Sequence, residues 1–393
     1  MRFETAIFKA LDRVYAEAKK AGSLPVGEGQ RYVIFSDQHK GAKNGADNFR
    51  LCEPNYLAAL DYYARRDYTL VVLGDAEEQQ QEPTGRILKA YQEVLEREAD
   101  FYKKGKYHKI VGNHDYRWNS RRHVAKFLSP LFPGITIREG ILLEYRHPFT
   151  GETGNILLTH GHQGTLFSDK ILWLSTIGVW LFKFWRILTG KGRNSPSNSY
   201  RLRAFHDRVM YTWASRKLNF ALVTGHTHRP VWSSVTHVQK LARQLFEAKK
   251  AFIEHERSNK GTRAARSNDL PGGSKRKWHL ETIANLHELL VDKVKKYPDE
   301  HDTIKTVPTY FNTGCCSFAD GDITGIELDH AFIRLVKWGR DPDNPGQFCK
   351  TILEEDELAN IFYDFDPKAL LIEAPEAVPA NNPKAVSAAL VPA

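Results

Sequence analysis

Short apolar runs alternate with amphipathic stretches along the first two thirds of the chain. Each run is rich in branched residues and ends in Asp, Asn or His, whereas the stretch ILKAYQEVLEREADFYKK repeats its apolar positions at helical spacing. Strands that alternate with helices predict an α/β layered domain, in which ligands collect beyond the carboxyl ends of the strands. The five runs are RYVIFSD, YTLVVLGD, YHKIVGNHD, NILLTHGH and LNFALVTGHTH.

The last third of the chain continues this pattern after an interruption. VPTYFNTGCCSF and ITGIELDHAFIRLVKW alternate apolar and polar positions, which predicts strands that complete a second sheet. Before them, VQKLARQLFEAKKAFIEHERSNK and HLETIANLHELLVDKVKKY have helical patterns, and the Gly-containing linker GTRAARSNDLPGGSKRK joins them. The predicted organisation is an N-terminal helix in 1–30, a main domain in 31–235 completed by final strands in 305–372, an inserted basic helical hairpin in 236–304, and a flexible tail in 373–393.

The composition indicates the cellular compartment of the protein and the charge of its possible partners. A chain of 393 residues with 41% hydrophobic content can bury a proper core. The net charge of +9 suits anionic partners such as phosphates, nucleic acid or acidic lipid, and it equally suits a plain solvated surface. The four cysteines have no CxxC spacing, and the N-terminal stretch lacks the continuous apolar segment of a signal peptide. We therefore expect a cytoplasmic protein.

The polar residues at the strand ends include types that bind metal ions. Asp37 and His39 are two apart in FSDQHKG, so in an extended segment both side chains leave on the same side and can chelate one ion. Asp75 follows a glycine in VVLGDAEE, and its two oxygens can bridge two cations. Each motif taken alone also suits an ordinary turn.

The remaining strand ends add an amide and several imidazoles. In GNHD, Asn113 offers a neutral oxygen to a second ion, His114 can point toward substrate, and Asp115 can orient His114. A lone histidine after a strand is more often structural, but four of them in order with the Asp and Asn motifs indicate a metal site. These four histidines are His160, His162, His226 and His228.

This ordered motif set resembles that of the calcineurin-like metallophosphoesterases, a superfamily of binuclear-metal phosphoesterases. The resemblance covers residues 31 to 235 and about 305 to 340, and it implies two mixed sheets sandwiched between helices. It also implies two divalent cations, with manganese first and iron, zinc or magnesium as alternatives, and a metal-bridging hydroxide as nucleophile. By this resemblance, Asp37, His39 and His228 hold the first metal, Asn113, His160 and His226 hold the second, and Asp75 bridges both.

Catalytic and phosphate-binding roles follow for the residues around the metals. A phosphate held by two cations still needs a proton for its leaving oxygen, and we expect His114 to supply it with Asp115 orienting the ring. Asn113, Arg117 and Arg229 are the candidates for contacts to the substrate phosphate. A solvated surface arginine is an equal alternative for each of the two arginines.

Residues 171–188, ILWLSTIGVWLFKFWRIL, are unusually apolar and place their polar residues on one face of a helical wheel. Such a helix can lie in a lipid interface, as a peripheral contact at the inner face of a membrane, or it can pack on its own core or on a second subunit. Its position resembles that in the UDP-2,3-diacylglucosamine pyrophosphatase branch, which cleaves a lipid-linked pyrophosphate. That branch has Arg where this chain has His114 and Asp where it has His162.

The basic linker at 258–278 offers a second contact with anions. Its Lys and Arg residues can attract nucleic acid or anionic lipid, or they can form a solvated loop, since no aromatic residues for base stacking are interleaved.

The function expected from the whole sequence is a metal-dependent phosphoesterase that acts on a phosphate ester or pyrophosphate, with a lipid-linked or membrane-proximal substrate as the first choice. A nuclease or nucleotide phosphodiesterase would keep the same metal residues. A non-catalytic scaffold would lack some of these ligands, and a structural zinc site would have no use for the bridging Asp75.

Overall fold

The computed structural model describes eleven parts of the chain, and the chain divides into two compact units. One unit is Met1–Ser234 with Pro308–Phe362, and the other is Val235–Val307 with Tyr363–Ala393. The first unit contains both sheets and all the predicted site residues. The described residues are 2–27, 29–147, 151–163, 200–232, 245, 248–249, 251–252, 255, 271–296, 309–344 and 346–362.

The described helices of the first unit are α1 (Arg2–Ala21), α2 (Phe49–Arg65), α3 (Thr84–Ala90), α4 (Gln92–Lys103), α5 (Arg121–Phe127) and α6 (Tyr200–Ala214). Two short 3-10 helices span Tyr116–Asn119 and Leu358–Ile361. The strands are β1 (Leu24–Val26), β2 (Arg31–Phe35), β3 (Thr69–Leu73), β4 (Tyr107–Ile110), β5 (Gly140–Arg146), β6 (Thr153–Thr159), β7 (Phe220–Thr224), β8 (Pro230–Val231), β9 (Tyr310–Thr313), β10 (Ile323–Asp329), β11 (Phe332–Arg340) and β12 (Phe348–Glu357).

These strands form two mixed sheets of six strands each. The first sheet has the order β1-β5-β6-β7-β9-β8, and the second has the order β12-β11-β10-β2-β3-β4. In the second sheet β2, β3 and β4 are parallel and β10, β11 and β12 pair antiparallel. In the first sheet β6, β7 and β9 are parallel. The predicted fold class, an α/β protein with two mixed sheets between helices, is confirmed.

Two cores follow from the alternation of side chains along each strand. On β2, Tyr32 and Ile34 enter an apolar core between the two sheets, while Val33 and Phe35 enter the core under α2 and α4. Helices α1 and α6 contact the first sheet, and α2 and α4 contact the second. The unit is therefore built of four layers, and the parallel strands β2, β3, β7 and β9 are buried on both faces.

All five apolar runs form strands, namely β2, β3, β4, β6 and β7. The prediction missed β1, β5, β8 and β12, and it expected β9, β10 and β11 to complete one sheet, although β9 pairs with β7 in the first sheet and β10 pairs with β2 in the second. The N-terminal segment is helical only as far as Ala21 and then forms β1. The helix predicted after β3 is interrupted at Tyr91, which separates α3 from α4.

In the second unit the structure describes α7 (Pro271–Lys296) and six residues of the preceding segment, all helical. The rings of Phe252 and His279 lie 6.3 Å apart, so the two helical segments contact each other. The predicted linker is wrong in its second half, because the helix begins at Pro271 and includes Lys275 to Lys277. Proline suits the first turn of a helix, where its missing N–H has no partner to lose.

Three predicted features lie outside the described residues: the apolar segment 171–188, the first part of the basic linker and the tail 373–393. Within the described ranges, every helix is too short or too polar to cross a membrane.

Candidate metal centre

The predicted metal ligands lie in five loops, each directly after the carboxyl end of a strand. Because β2, β3 and β4 belong to one sheet and β6 and β7 to the other, loops from both sheets meet here. Asp37 and His39 follow β2, Asp75 follows β3, Asn113 and His114 follow β4, His160 follows β6, and His226 and His228 follow β7.

The backbone of these loops is unusual for residues with side chains. Five of the seven predicted ligands have left-handed backbone conformations, which cost free energy and persist at functional sites. Two glycines allow the loops to approach closely. A Cβ on Gly112 would lie 2.1 Å from Oδ1 of Asp75, and one on Gly74 would lie 2.6 Å from the ring of His160. The φ angles are 54° at Asp37, 50° at His39, 51° at Asp75, 70° at His226 and 57° at His228.

Asp37, His39 and His228 form the first group. Nε2 of His228 lies 3.2 Å and Nε2 of His39 lies 3.7 Å from Oδ1 of Asp37, and the two nitrogens are 3.1 Å apart. The other carboxylate oxygen, Oδ2, accepts hydrogen bonds from the hydroxyl of Ser36 and from the backbone N–H of His226 at 2.9 Å. Oδ1 of Asp37 is thereby directed at the two imidazoles.

Asp75, His160 and His226 form the second group. Nδ1 of His160 donates to the carbonyl oxygen of Leu73 at 2.9 Å, which leaves Nε2 3.1 Å from Oδ2 of Asp75. The same Oδ2 lies 3.8 Å from Nε2 of His39, and Oδ1 of Asp75 accepts the backbone N–H of His114 at 2.8 Å. Asp75 therefore lies between the two groups, in the place predicted for a bridging carboxylate.

The donor set fits divalent cations. Oδ1 of Asp37, Oδ1 of Asn113 and Nε2 of His160 are buried, and none has a hydrogen-bond partner in the described part of the chain. A buried polar atom without a partner costs about 1–3 kcal/mol. Carboxylate, amide and imidazole donors suit manganese, iron or zinc. The geometry can hold one cation at Asp37, His39 and His228 and another at Asp75, His160 and His226, with Asn113 half-buried beside them.

The charges of the two groups attract positive charge. Burial lowers the pKa of His160, but the carboxylates of Asp75 and Asp37 outweigh burial and raise the pKa to about 9. At His228 burial also lowers the pKa, but the carboxylate of Asp37 outweighs burial and raises the pKa to about 9. Burial and the neighbouring His160 hold the pKa of His226 well below its ordinary value. The carboxylates thus favour cations at the positions that a metal would take.

Glu78 holds the candidate catalytic histidine. Nδ1 of His114 donates to the Glu78 carboxylate at 2.9 Å, and Nδ1 of His39 lies 3.0 Å from the same carboxylate. Burial raises the pKa of Glu78, but His114 and His39 outweigh burial and lower the pKa to about 2. An ionised Glu78 fixes Nδ1–H of His114 and leaves Nε2 for substrate. The sequence prediction did not assign Glu78, although the pair of glutamates after GDA was its signal.

The hydrogen bonds of Asp115 differ from the prediction that it orients His114. Its carboxylate accepts the backbone N–H of Gly112 at 2.6 Å and that of Ala76 at 2.9 Å. Asp115 therefore joins the loops after β3 and β4. Glu78, and not Asp115, binds Nδ1 of His114. The physical reason is that two backbone N–H groups from neighbouring loops bind both oxygens of the Asp115 carboxylate, so it does not reach the ring of His114.

The two arginines predicted to bind the substrate phosphate make no hydrogen bond or ion pair with the cluster in the described part of the chain. Arg117 and Arg229 are both exposed. Their role in phosphate binding stays a prediction. His162, which received no ligand role, has its ring 5.4 Å from that of His160.

A buried ion network lies beside the metal centre, and the sequence prediction missed it. Nζ of Lys40 lies 3.3 Å from Glu77 and 3.0 Å from Glu98, and Nζ of Lys109 lies 2.9 Å from Glu77. All four side chains are fully buried. Burial raises the pKa of Glu77, but Lys109 and Lys40 outweigh burial and lower the pKa to about 2. Further donors to the two carboxylates are Trp118, Tyr56 and Tyr107.

The fold and the site together define a metal-binding α/β sandwich whose ligands come from the carboxyl ends of strands in both sheets. The profile of the calcineurin-like phosphoesterase family matches residues 31–230, which is more than half of the chain. The chain belongs to the calcineurin-like phosphoesterase family.

Other comparisons add little to this assignment. No curated protein sequence matches the chain. Among solved structures, the chain is similar to Vacuolar Protein Sorting 29 from Cryptosporidium parvum, with 13% identity and a TM-score of 0.30. The match covers 84% of this chain and 99% of that one.

Proposed function

We propose that the protein hydrolyses a phosphate ester or a pyrophosphate bond with the aid of two divalent cations, of which manganese is the first candidate. The observation that carries the proposal is the position of Asp75, whose Oδ2 lies 3.1 Å from His160 and 3.8 Å from His39 and so joins the two groups. A single structural ion has no use for a carboxylate shared in this way. Two cations, when bound, neutralise a phosphate and lower the pKa of a coordinated water.

The side chains around the centre have separate tasks in this proposal. His114 gives a proton from Nε2 to the leaving oxygen, because its Nδ1 is held by Glu78 at 2.9 Å. His39 and His114 place their rings 4.7 Å apart, so the proton donor lies beside the metal ligands. Asn113 presents its unpartnered Oδ1 on the same loop, where it can hold a cation against the phosphate. Arg117 and Arg229 are proposed to bind the outer oxygens of the substrate.

The first test combines metal content with hydrolysis of bis-p-nitrophenyl phosphate and p-nitrophenyl phosphate under added manganese, zinc or magnesium. We expect two metal ions per chain, and we expect His114→Ala to keep both ions while turnover falls about 10²-fold or more. Asp343→Asn, an exposed loop change, is the matched control and should leave turnover unchanged.

The comparison of diester with monoester hydrolysis would direct the search for the natural substrate. A chain with no bound metal and no turnover under any of these conditions would remove the enzymatic proposal and favour a scaffold. Retained turnover in His114→Ala on the natural substrate would remove only the role of that side chain.

We further propose a lipid-linked or membrane-proximal substrate ahead of a nucleotide. Support comes from the amphipathic pattern of residues 171–188 alone, with Trp173 and Trp180 toward the boundary between its faces. Sedimentation with anionic vesicles tests the membrane contact, and Trp180→Ser should weaken it. Equal binding to single-stranded nucleic acid, lost on neutralising the basic residues of 258–278, would favour the nuclease alternative instead.

A further inference from the structure

Strand β12 forms an edge of the second sheet and pairs only with β11 in the described part of the chain. It is ten residues long, and two apolar side chains near its middle are exposed, Ile352 by 46% and Leu353 by 43%. A long edge with exposed apolar residues is a template for pairing with another strand.

The charges of β12 are divided between its two ends. Lys350 lies near its beginning, and its last four residues, Glu354 to Glu357, are all acidic. The beginning of the strand borders an open groove of about 610 Å³ that also includes Tyr62 and Arg65 of α2, Arg66 just after it, and Asp61, which pairs with Arg97 at 2.6 Å. Arg65 and Arg66 are exposed. One end of the edge is therefore basic and the other acidic, so the edge is complementary to an antiparallel copy of itself.

The register of β12 on β11 brings the complementary charges to one face of the sheet. Lys350 lies opposite Trp338 and Glu355 lies opposite Arg334, and these two β11 residues are four apart and so share a face. A bulge between Leu335 and Val336 of β11 gives β12 an extra residue, Leu353. Without that extra residue, Lys350 and Glu355 would point to opposite faces.

We propose that β12 pairs antiparallel with β12 of a second copy of this chain, about a two-fold axis near Ile352 and Leu353. In this register Lys350 lies opposite Glu355 of the partner subunit, and the acidic end of each strand reaches the basic groove of the other. The exposed pair Ile352 and Leu353 is covered at the centre, where no charge has to be buried. The two second sheets then form one continuous sheet of twelve strands.

Sedimentation equilibrium of the full chain across the micromolar range tests this pairing. We expect a dimer, and we expect Leu353→Thr to raise its dissociation constant about tenfold or more. Leu218→Thr is the matched control, because Leu218 is 78% exposed elsewhere in the same unit and should leave the constant unchanged. Thermal melting of each variant confirms that it is folded.

Charge reversal tests the register itself. Lys350→Glu and Glu355→Lys should each weaken the dimer about tenfold, because each places like charges opposite each other, and the double variant should restore it. Within one chain Lys350 bonds Glu327 at 2.7 Å and Glu355 bonds Arg334. If only these bonds mattered, the double variant would be the weakest of the three.

Three results would overturn the pairing. One is a wild-type chain that stays monomeric at all concentrations, and another is a dimer that Leu353→Thr and both single reversals leave unchanged. The third is a monomer in which the β12 amides that face away from β11 are nevertheless protected from hydrogen exchange, which would show that the chain's own residues cover the edge.

Discussion

The metal centre and the buried ion network share the loops after β2 and β3, yet their charges are arranged differently. Lys40 follows the ligand His39, and Glu77 comes two residues after the ligand Asp75. In the network each ammonium faces a carboxylate at 2.9 to 3.3 Å. In the metal centre two imidazole nitrogens face each other at 3.1 Å, and Oδ1 of Asp37 and Nε2 of His160 lie 3.2 and 3.1 Å from other ligand atoms without a hydrogen bond in the described chain.

The charged atoms of the ion network stabilise the fold, whereas the polar atoms of the metal centre are arranged to bind a ligand. A buried charge is tolerated when a partner and hydrogen bonds satisfy it, and removal of one partner is strongly destabilising. Unsatisfied atoms at a ligand site destabilise the free protein, so their removal often leaves stability unchanged or increases it. Substitutions in the two regions should therefore separate stability from metal binding.

The largest effect is expected for Asp75→Asn, on metal binding. Loss of the shared carboxylate should reduce bound metal from two ions to one or none and lower turnover by more than about 10³-fold. The free energy of unfolding in excess chelator should fall by less than it does in Lys109→Met, because the amide keeps the size of the side chain and its oxygen can still accept the backbone N–H of His114. Metal analysis and urea unfolding measure both quantities. A loss as large as that of Lys109→Met would contradict the contrast between the regions.

Lys109→Met tests the ion network in the opposite direction. The change leaves Glu77 with Lys40 as its only ammonium partner in the described chain, so we expect a loss of about 3 kcal/mol in the free energy of unfolding. Lys103→Met is the control, since the exposed pair of Lys103 with Asp100 should contribute less than about 1 kcal/mol. Equal stabilities of the two variants in chemical unfolding would refute the network's role.

Glu78→Gln and Asp115→Asn sharpen the comparison within the site. Glu78 holds His114, so its amide variant should lower turnover about tenfold at saturating metal and change the pH dependence of the rate. Asp115 holds backbone N–H groups, so Asp115→Asn should mainly lower the melting temperature. If Asp115→Asn lowered the rate and Glu78→Gln lowered only the melting temperature, Asp115 would be the residue that orients His114, as predicted from the sequence.

The smallest effect is expected at His108 on β4, which is half-buried and outside both regions. Burial and the nearby Arg138 lower the pKa of His108 below its ordinary value. As pH falls below about 6.5, the unfolded chain therefore takes up a proton that the folded chain refuses, and folding stability declines. His108→Gln should gain stability relative to wild type between pH 7.5 and pH 5.5. A difference that does not vary with pH would contradict this.

Much of the fold could be predicted from the sequence because the parallel strands are buried on both faces. Apolar runs that end in Asp, Asn or His mark such strands, and the chain order of these ends predicts which side chains meet. The missed strands lack this signal. Strand β1 has three residues, and β12 is acidic over its second half because it is an edge.

The sequence predicts which residues form the site better than it predicts what each of them does there. Asp115 follows His114 directly and Glu78 is 36 residues away, so proximity in the chain favoured the wrong carboxylate. The path of the loop after β3 determines which carboxylate reaches His114. That path depends on the left-handed backbone at Asp75 and on Gly112. The ion network was missed for the same reason, since its four charges come from four separate segments.

The origin of the ligands in both sheets has a consequence for the way the protein unfolds. Asp37, His39 and Asp75 belong to one sheet, whereas His160, His226 and His228 belong to the other. Each bound ion would therefore act as a cross-link between the halves of the sandwich. The two sheets should lose their structure in a single transition when metal is present. When metal is removed, the strand ends at this side should be the first to open.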